Sequence, residues 1–189
     1  RPYDIRGVTL STVPQGKDYK DFIFSTQTID DNQIRMMKDT GINTVRTYYP
    51  PTPDLLDALA KNDIRVIVGF PYYDDRHNAG PDIKTGTYKS YIDAYKNHPA
   101  ILMWEFGNEY NYHPDYFDGN LANWYTNLNA AAQYAATDIN HPVSSTWGYD
   151  AGDPSASQEL NAAMDTAPDV KIWGLNIYDG DNLSRVNAI

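Results

Sequence analysis

Hydrophobic and polar positions along this 189-residue chain follow two alternating patterns. Short apolar runs rich in β-branched residues are each followed by a stretch with helical periodicity, of which residues 121–135 are the longest. Asp30 and Thr52 are typical of helix N-caps, and Gly41 is typical of a helix end. We therefore predict helices that alternate with strands near residues 5–10, 43–48, 63–69, 100–106, 143–147 and 170–178.

Six strand–helix units in succession predict an α/β fold with a parallel sheet and helical crossovers. Such a chain could be a doubly wound sheet or most of a (β/α)8 barrel. No glycine-rich G-x-G-x-x-G loop follows any strand, and polar and aromatic residues collect after the strand ends, where barrel enzymes keep their active sites. We expect one domain, residues 1–189, forming a (β/α)8 TIM barrel truncated to its first six strands, because a whole barrel takes about 250 residues. A sixth helix is expected near Leu183.

Composition narrows the classes of partner. The formal charge is −10, which argues against nucleic acid and anionic membrane surfaces as partners. No apolar run approaches the roughly 20 residues of a membrane span. His77 and His113 lie near acidic residues but lack the helical spacing of a metal site, so we expect no metal. The 16 tyrosines and 4 tryptophans suit either stacking against sugar rings or packing at the rim of a core.

The strongest motif is at residues 97–109, Asn-His-Pro-Ala-Ile-Leu-Met-Trp-Glu-Phe-Gly-Asn-Glu. An apolar strand that ends in Gly-Asn-Glu places an amide and a carboxyl, Asn108 and Glu109, at the carboxyl-terminal rim of the sheet. Cleavage of a glycosidic bond needs an acid for the departing oxygen and a hydrogen-bonding group for the 2-hydroxyl of the sugar. Glu105 lies before the rim, and we expect it to be a buried, hydrogen-bonded group.

This motif resembles the acid/base strand of clan A glycoside hydrolases, whose fourth barrel strand ends in Asn-Glu. The form H-P-x-I-x-x-W-x-x-G-N-E is especially similar to the barrel domain of family 2, the β-galactosidase and β-glucuronidase family. Residues 41–50 resemble the clan's second strand, whose arginine supports the nucleophile, and residues 170–178 resemble its sixth strand, whose tyrosine contacts the nucleophile. Residues 46–71 are similar to β-1,3-glucan-active enzymes of families 17 and 72, which favours a β-1,3-glucan substrate.

The resemblance implies a role for each matching residue. Glu109 would be the general acid/base and Asn108 the ligand of the 2-hydroxyl, while Arg46 and Tyr178 would position a nucleophile. The alternatives are that Arg46 is a structural ion-pair partner and Tyr178 a packed ring. The aromatic residues near strand ends are candidate sugar platforms or packing residues: Trp147, Tyr72, Tyr73 and Tyr149.

The nucleophile itself is the missing part. In this clan it is a glutamate at the end of the seventh strand, and no glutamate follows Glu159 in the chain. Asp179 and Asp181 follow the sixth predicted strand but match no family pattern.

We therefore expect the acid/base half of a retaining glycoside hydrolase or transglycosidase that acts on β-linked oligo- or polysaccharides. It would need no cofactor, because two carboxylates suffice. The alternatives are a catalytically inactive carbohydrate-binding module and a fragment of a longer enzyme. Truncation is favoured, because natural proteins avoid exposing parallel strand edges. Enzymes that act on polysaccharides are usually exported, so a secreted or periplasmic location is expected.

Overall fold

The computed structural model describes residues 3–13, 16–18, 23–73, 80–150 and 152–177. Strands and helices alternate along them. The strands are β1 (Gly7–Thr9), β2 (Thr44–Arg46), β3 (Arg65–Phe70), β4 (Ile101–Asn108), β5 (Val143–Tyr149) and β6 (Ile172–Ile177). The helices are α1 (Asp31–Asp39), α2 (Pro53–Lys61), α3 (Tyr88–Tyr95), α4 (Leu121–Ala135) and α5 (Ala156–Thr166). The sixth helix predicted near Leu183 lies outside the described residues.

All neighbouring strands pair in parallel, in the order β1-β2-β3-β4-β5-β6. A doubly wound sheet reverses its strand order at a switch point, and this sheet does not, so that alternative is excluded for the six strands. The sheet curls into a half-barrel, consistent with a truncated TIM-barrel-like fold. Parallel strands in chain order bring all their carboxyl ends to one rim, and this rim carries the candidate site.

The predicted helix starts are confirmed. The Asp30 carboxylate accepts from the Gln33 backbone N–H at 2.7 Å, and the Gln33 side chain accepts from the Asp30 N–H at 3.0 Å, which completes a capping box. Thr52 accepts from the Leu55 N–H, with Pro53 at the first helical position. No helix within the described residues is long and apolar enough to cross a bilayer.

Strand β4 is buried on both faces, which contact different parts of the protein. Trp104 and Phe106 pack edge-on against Tyr91 and Tyr88 of α3, with ring centroids 6.4 and 5.4 Å apart. Glu105 lies between them in sequence, so alternation turns its side chain to the opposite, barrel-facing side. The outer face of β4 therefore forms hydrophobic core, while its inner face carries a carboxylate.

A bulge near the end of β4 changes this alternation. Glu105 pairs with Ser144 of β5, but Asn108 pairs with Thr146, so three steps along β4 match two along β5. Gly107, within the bulge, has a φ of +76°, a left-handed conformation suited to glycine. The extra residue brings Asn108 to the same side of the sheet as Glu105. We predicted the strand to end at Phe106; it ends at Asn108 because the bulge keeps the pairing with β5.

Candidate active site

The candidate site is a cavity of about 140 Å³ at the carboxyl-terminal rim, open to solvent. Three neighbouring strand ends contribute to it, namely those of β2, β3 and β4. The lining residues are Tyr48, Tyr49, Gly69, Phe70, Pro71, Glu105, Gly107, Asn108 and Tyr110. The lining combines the polar side chains of Glu105 and Asn108 with aromatic rings, while Arg46 and Glu109 lie next to these residues rather than among them.

Arg46, at the end of β2, forms an ion pair with Glu105. Its Nε lies 2.8 and 3.1 Å from the two carboxylate oxygens, and its Nη2 contacts Oε1 as well. The two side chains are only 17% and 6% exposed. Burial raises the pKa of the Glu105 carboxyl above its ordinary value, although Arg46 opposes that shift. Burial tends to lower the pKa of Arg46, but Glu105 outweighs this and the guanidinium keeps its charge.

A chain of hydrogen bonds links this pair to Glu109 through Asn108 and Asn176. Arg46 Nη2 donates to Asn108 Oδ1 at 2.9 Å. A guanidinium has donors only, so the Asn108 atom that faces it must be the oxygen. Asn176 Nδ2, on β6, donates to the same oxygen at 3.3 Å and to Glu109 Oε1 at 3.0 Å. None of the described residues accepts a hydrogen bond from Asn108 Nδ2, so this donor can face a ligand.

The backbone around Glu109 is held on both sides. Glu109 has a φ of +55°, in the left-handed region, which ends the strand sharply. Its N–H donates to the Thr146 carbonyl of β5 at 2.9 Å, and its own carbonyl accepts from the Tyr112 N–H at 3.0 Å. The carboxyl thus leaves a fixed turn at the rim, a suitable arrangement for a group that must meet a substrate in one orientation.

The structure brings together Arg46, from the second predicted strand, with Asn108 and Glu109, which the sequence placed at the end of the fourth. The prediction for Glu105 is confirmed, because it is 5% exposed and fully engaged with Arg46. Arg46 contacts Glu105 and Asn108, which is the structural ion-pair role considered above and also orients the amide of Asn108. Tyr178, Asp179 and Asp181 lie outside the described residues.

The predicted sugar platforms lie mostly in packed positions. Trp147 is 2% exposed and packs with its ring 6.1 Å from both Tyr125 and Trp173, so its ring faces core rather than an open surface. Tyr72 is half-buried against Phe117, at 4.7 Å between centroids. For these two residues the structure favours packing.

Tyr149 is buried, whereas Tyr73 is only half-buried. Tyr149 is 8% exposed, and its hydroxyl lies 2.8 Å from Ser157. Tyr73 is half-buried beneath Lys84, whose Nζ is 4.4 Å from the ring centroid, and its role as a platform stays a prediction.

Asn176 is a polar site residue that the sequence did not single out, and Tyr48, Tyr49 and Tyr110 of the cavity lining were not singled out either. Asn176 lies 67 residues after Glu109, and its contact with that carboxyl exists only because β6 ends at the same rim as β4. A signal was present: Asn176 is the polar residue at the end of a predicted parallel strand, the position that had marked Asn108 and Glu109.

No family model matches this chain. A putative β-glucuronidase of Formosa agariphila is 25% identical over 156 residues, which is 78% of this chain and 17% of the relative. A second putative β-glucuronidase of that organism is 27% identical over 86 residues. The chain thus spans less than a fifth of the curated relative that it matches over most of its own length.

Solved structures align with most of this chain. A glycosyl hydrolase family 2 member from Bacteroides cellulosilyticus aligns with 83% of this chain at a TM-score of 0.58 and 21% identity. The β-glucuronidase of Bacteroides uniformis aligns with 95% at a TM-score of 0.63 and 17% identity. The chain covers 19% and 21% of these two structures.

The fold of this chain recurs within family 2 enzymes. The resemblance of the sequence to family 2 is therefore supported by its relatives. The wider resemblance to clan A, and to families 17 and 72 in particular, gains no support from these comparisons.

Proposed function

We propose that this chain forms the acid/base half of a retaining glycoside hydrolase for β-linked glycans, with the nucleophile supplied by residues beyond these 189. The observation that carries the proposal is the hydrogen-bond chain from Arg46 through Asn108 and Asn176 to Glu109. It presents a carboxyl and an amide donor side by side at one rim. Protonation of a departing oxygen and recognition of a 2-hydroxyl need such a pair.

In this mechanism Glu109 first protonates the glycosidic oxygen while the nucleophile forms a glycosyl-enzyme intermediate. Glu109 then takes a proton from the water that hydrolyses this intermediate. Because the anomeric carbon is displaced twice, its configuration is retained. Asn108 donates its Nδ2 hydrogen to the 2-hydroxyl. Arg46 and Glu105 do not react; they hold the oxygen of Asn108 away from the substrate.

Two substrate classes are suggested for the site. The names of the relatives suggest β-glucuronides, whereas residues 46–71 suggest β-1,3-glucans. Arg46, the cation next to the cavity, is already neutralised by Glu105 and is poorly suited to bind a sugar carboxylate. We therefore expect neutral β-glycosides to be cleaved unless a cation outside the described residues reaches the site.

The test is turnover of aryl β-glycosides by the full-length protein and its Glu109→Gln variant. Loss of the acid should lower the rate about 10²- to 10⁴-fold for a poor leaving group. It should have much less effect on a dinitrophenolate, which departs without protonation. Glu159→Gln, on the exposed surface of α5, is the matched control and should keep wild-type activity.

Retention can be tested separately with azide and Glu109→Ala. Azide should restore turnover and release a β-glycosyl azide, because it attacks the glycosyl-enzyme intermediate from the face that Glu109 vacated. Unchanged turnover in Glu109→Gln would refute the assignment of the acid. Saccharide binding without turnover in the full-length protein would support the inactive carbohydrate-binding module instead.

A further inference from the structure

Tyr112 is an exposed aromatic residue close to Glu109 along the chain. It closes the short 3₁₀ turn Tyr110–Tyr112, directly after Glu109, and is 48% exposed. Its neighbour Tyr110 instead packs into the aromatic cluster, with its ring 4.8 Å from that of Trp124. A large aromatic side chain is thus kept in solvent one turn away from the proposed acid, and the mechanism above does not use it.

The exposed ring is nevertheless held in place. It lies so close to Gly148 of β5 that a Cβ on that glycine would be 2.1 Å from Tyr112 Cε2. Asn111 clamps the same glycine: its Nδ2 donates to the Gly148 carbonyl at 2.8 Å, and its Oδ1 accepts from the Gly148 N–H at 3.0 Å. One side of the ring is therefore backed by the backbone of β5. A ring that is immobilised before binding loses little entropy when a ligand stacks on it.

The position of Tyr112 relative to Glu109 indicates which part of a substrate would meet it. The acid protonates the oxygen of the leaving group, so the leaving-group sugar must lie on the side of Glu109. Tyr112 follows Glu109 in the same turn and donates its N–H to the Glu109 carbonyl at 3.0 Å. The apolar face of a tyrosine ring suits the C–H face of a sugar, and its hydroxyl suits the polar edge.

Charge around Tyr112 indicates the kind of sugar. Partial burial, with the nearby carboxylates of Asp150 and Glu109, raises the pKa of the Tyr112 phenol, so the hydroxyl stays protonated. When Glu109 holds the proton that it donates, Asp150 and Asp153 still act on Tyr112 as carboxylates. Carboxylates accept hydrogen bonds from sugar hydroxyls and repel an anionic group. We propose that Tyr112, backed by Gly148, is the platform of a leaving-group subsite that binds a neutral sugar. The proposal rests on the function proposed above.

The experiment compares two substrates with the same glycone in the full-length protein. One is a neutral β-linked disaccharide, whose leaving group is a sugar, and the other is the glycosyl fluoride, whose leaving group has no ring. Tyr112→Ala should lower kcat/KM for the disaccharide roughly tenfold relative to the fluoride. Tyr112→Phe keeps the ring and should change this ratio less than about threefold.

Two further variants separate the platform from its surroundings. Gly148→Ala places a methyl group where the ring lies and should reproduce the selective loss of Tyr112→Ala. Tyr116→Ala is the matched control, because Tyr116 is 55% exposed in the same loop but stacks on His113 at 4.9 Å. It should leave the ratio unchanged. Retained turnover of the fluoride shows in each variant that the fold and the catalytic groups are intact.

The results separate a failure of the proposed function from a failure of the leaving-group subsite. If the wild type hydrolyses neither substrate, the proposed function fails and the subsite falls with it. If the wild type hydrolyses both and Tyr112→Ala lowers both equally or neither, only the subsite is refuted. A disaccharide with a uronic acid as the leaving group should react more slowly than its neutral counterpart, by a factor that shrinks with added salt. A faster reaction would overturn the assignment of a neutral sugar.

Discussion

Replacing Glu105 by glutamine removes the negative charge of a buried ion pair and leaves Arg46 without a counter-charge. Glutamine has nearly the same shape as glutamate, so the change in packing is small. One carbonyl oxygen remains to accept from the guanidinium, in place of the two carboxylate oxygens that Arg46 contacts in the wild type. The variant therefore isolates the charge from the volume of the side chain.

The expected loss in the free energy of unfolding follows from how deeply the ion pair is buried. Exposed ion pairs contribute about 0–1 kcal/mol, whereas removing one partner of a buried pair costs about 3–5 kcal/mol. Glu105 is 6% exposed in its side chain, but Arg46 is 17% exposed and keeps some access to water. We expect the lower end, a fall of about 3 kcal/mol in the free energy of unfolding. For a complete barrel domain of about 250 residues that lowers Tm by about 6–12 °C.

Replacing Arg46 and replacing Glu105 should not cost the same stability. Arg46→Met leaves a buried carboxyl whose pKa burial already raises, so that carboxyl can take up a proton and become neutral. The guanidinium left by Glu105→Gln has no such escape, because arginine does not deprotonate in proteins. Arg46→Met should therefore cost about 1 kcal/mol less than Glu105→Gln.

Combining Arg46→Met with Glu105→Leu removes both charges and should recover most of the lost stability. Turnover should not recover, because Asn108 no longer receives the hydrogen bond from Arg46 that orients its amide. The assay is urea unfolding of the wild type, the two single variants and the double variant, with aryl glycoside turnover measured in parallel. Glu159→Gln, an exposed carboxyl, is the control for a change of net charge.

A cost below about 1 kcal/mol for Glu105→Gln would mean that the pair is effectively solvated. A larger cost for Arg46→Met than for Glu105→Gln would contradict the argument about which charge can be neutralised. Full activity in the double variant would show that Arg46 does not orient Asn108.

Two other substitutions test how the site is supported. Gly107→Ala should destabilise more than Gly86→Ala in urea unfolding: both have φ near +75°, but a Cβ at residue 107 meets Trp124 at 2.6 Å, whereas residue 86 has open space within 4 Å. The left-handed strain of about 1 kcal/mol is common to both, so equal losses would show that Trp124 gives way. Asp138→Asn should cost about 1–3 kcal/mol at pH 7. Although burial tends to raise the pKa of Asp138, hydrogen bonds from His141 and Trp104 lower it overall. The wild type should therefore be more stable than Asp138→Asn above about pH 4, and this difference in the free energy of unfolding should fade as pH falls further. A difference that persists unchanged at pH 2 would refute that explanation.

Much of the fold was predictable because its signals are local. The capping box at Asp30 and the N-cap Thr52 mark helix starts through bonds between residues three apart. Apolar periodicity located the long helix α4, which begins and ends where the pattern does. Strand ends were less predictable: β4 and β5 extend two residues beyond the predicted limits, to Asn108 and Tyr149, because pairing with a neighbouring strand decides where a strand ends.

The site was predictable only in part, for the same reason. Asn108 and Glu109 follow the apolar strand predicted at 100–106, and Arg46 lies within the strand predicted at 43–48; parallel strands in chain order bring their carboxyl ends to one rim. The sequence could not show that Asn176 bonds to Glu109, because that contact depends on how far β4 and β6 are staggered. Nor could it show that Tyr112, rather than Trp147, keeps an exposed ring.

The sequence by itself determined the alternation of strands and helices, their order, and the polar residues available at each strand end. Only the tertiary structure decided which face each of these side chains occupies. Strand β5, Val-Ser-Ser-Thr-Trp-Gly-Tyr, is buried along its whole length and shows no alternation of apolar and polar residues, so its sequence does not show that Trp147 turns towards the helices. In β4 the bulge at Gly107 adds one residue and brings Asn108 to the side of Glu105 and Arg46. Side-chain direction in a strand reverses at every residue, so a single bulge, set by pairing with a distant strand, decides whether these groups meet.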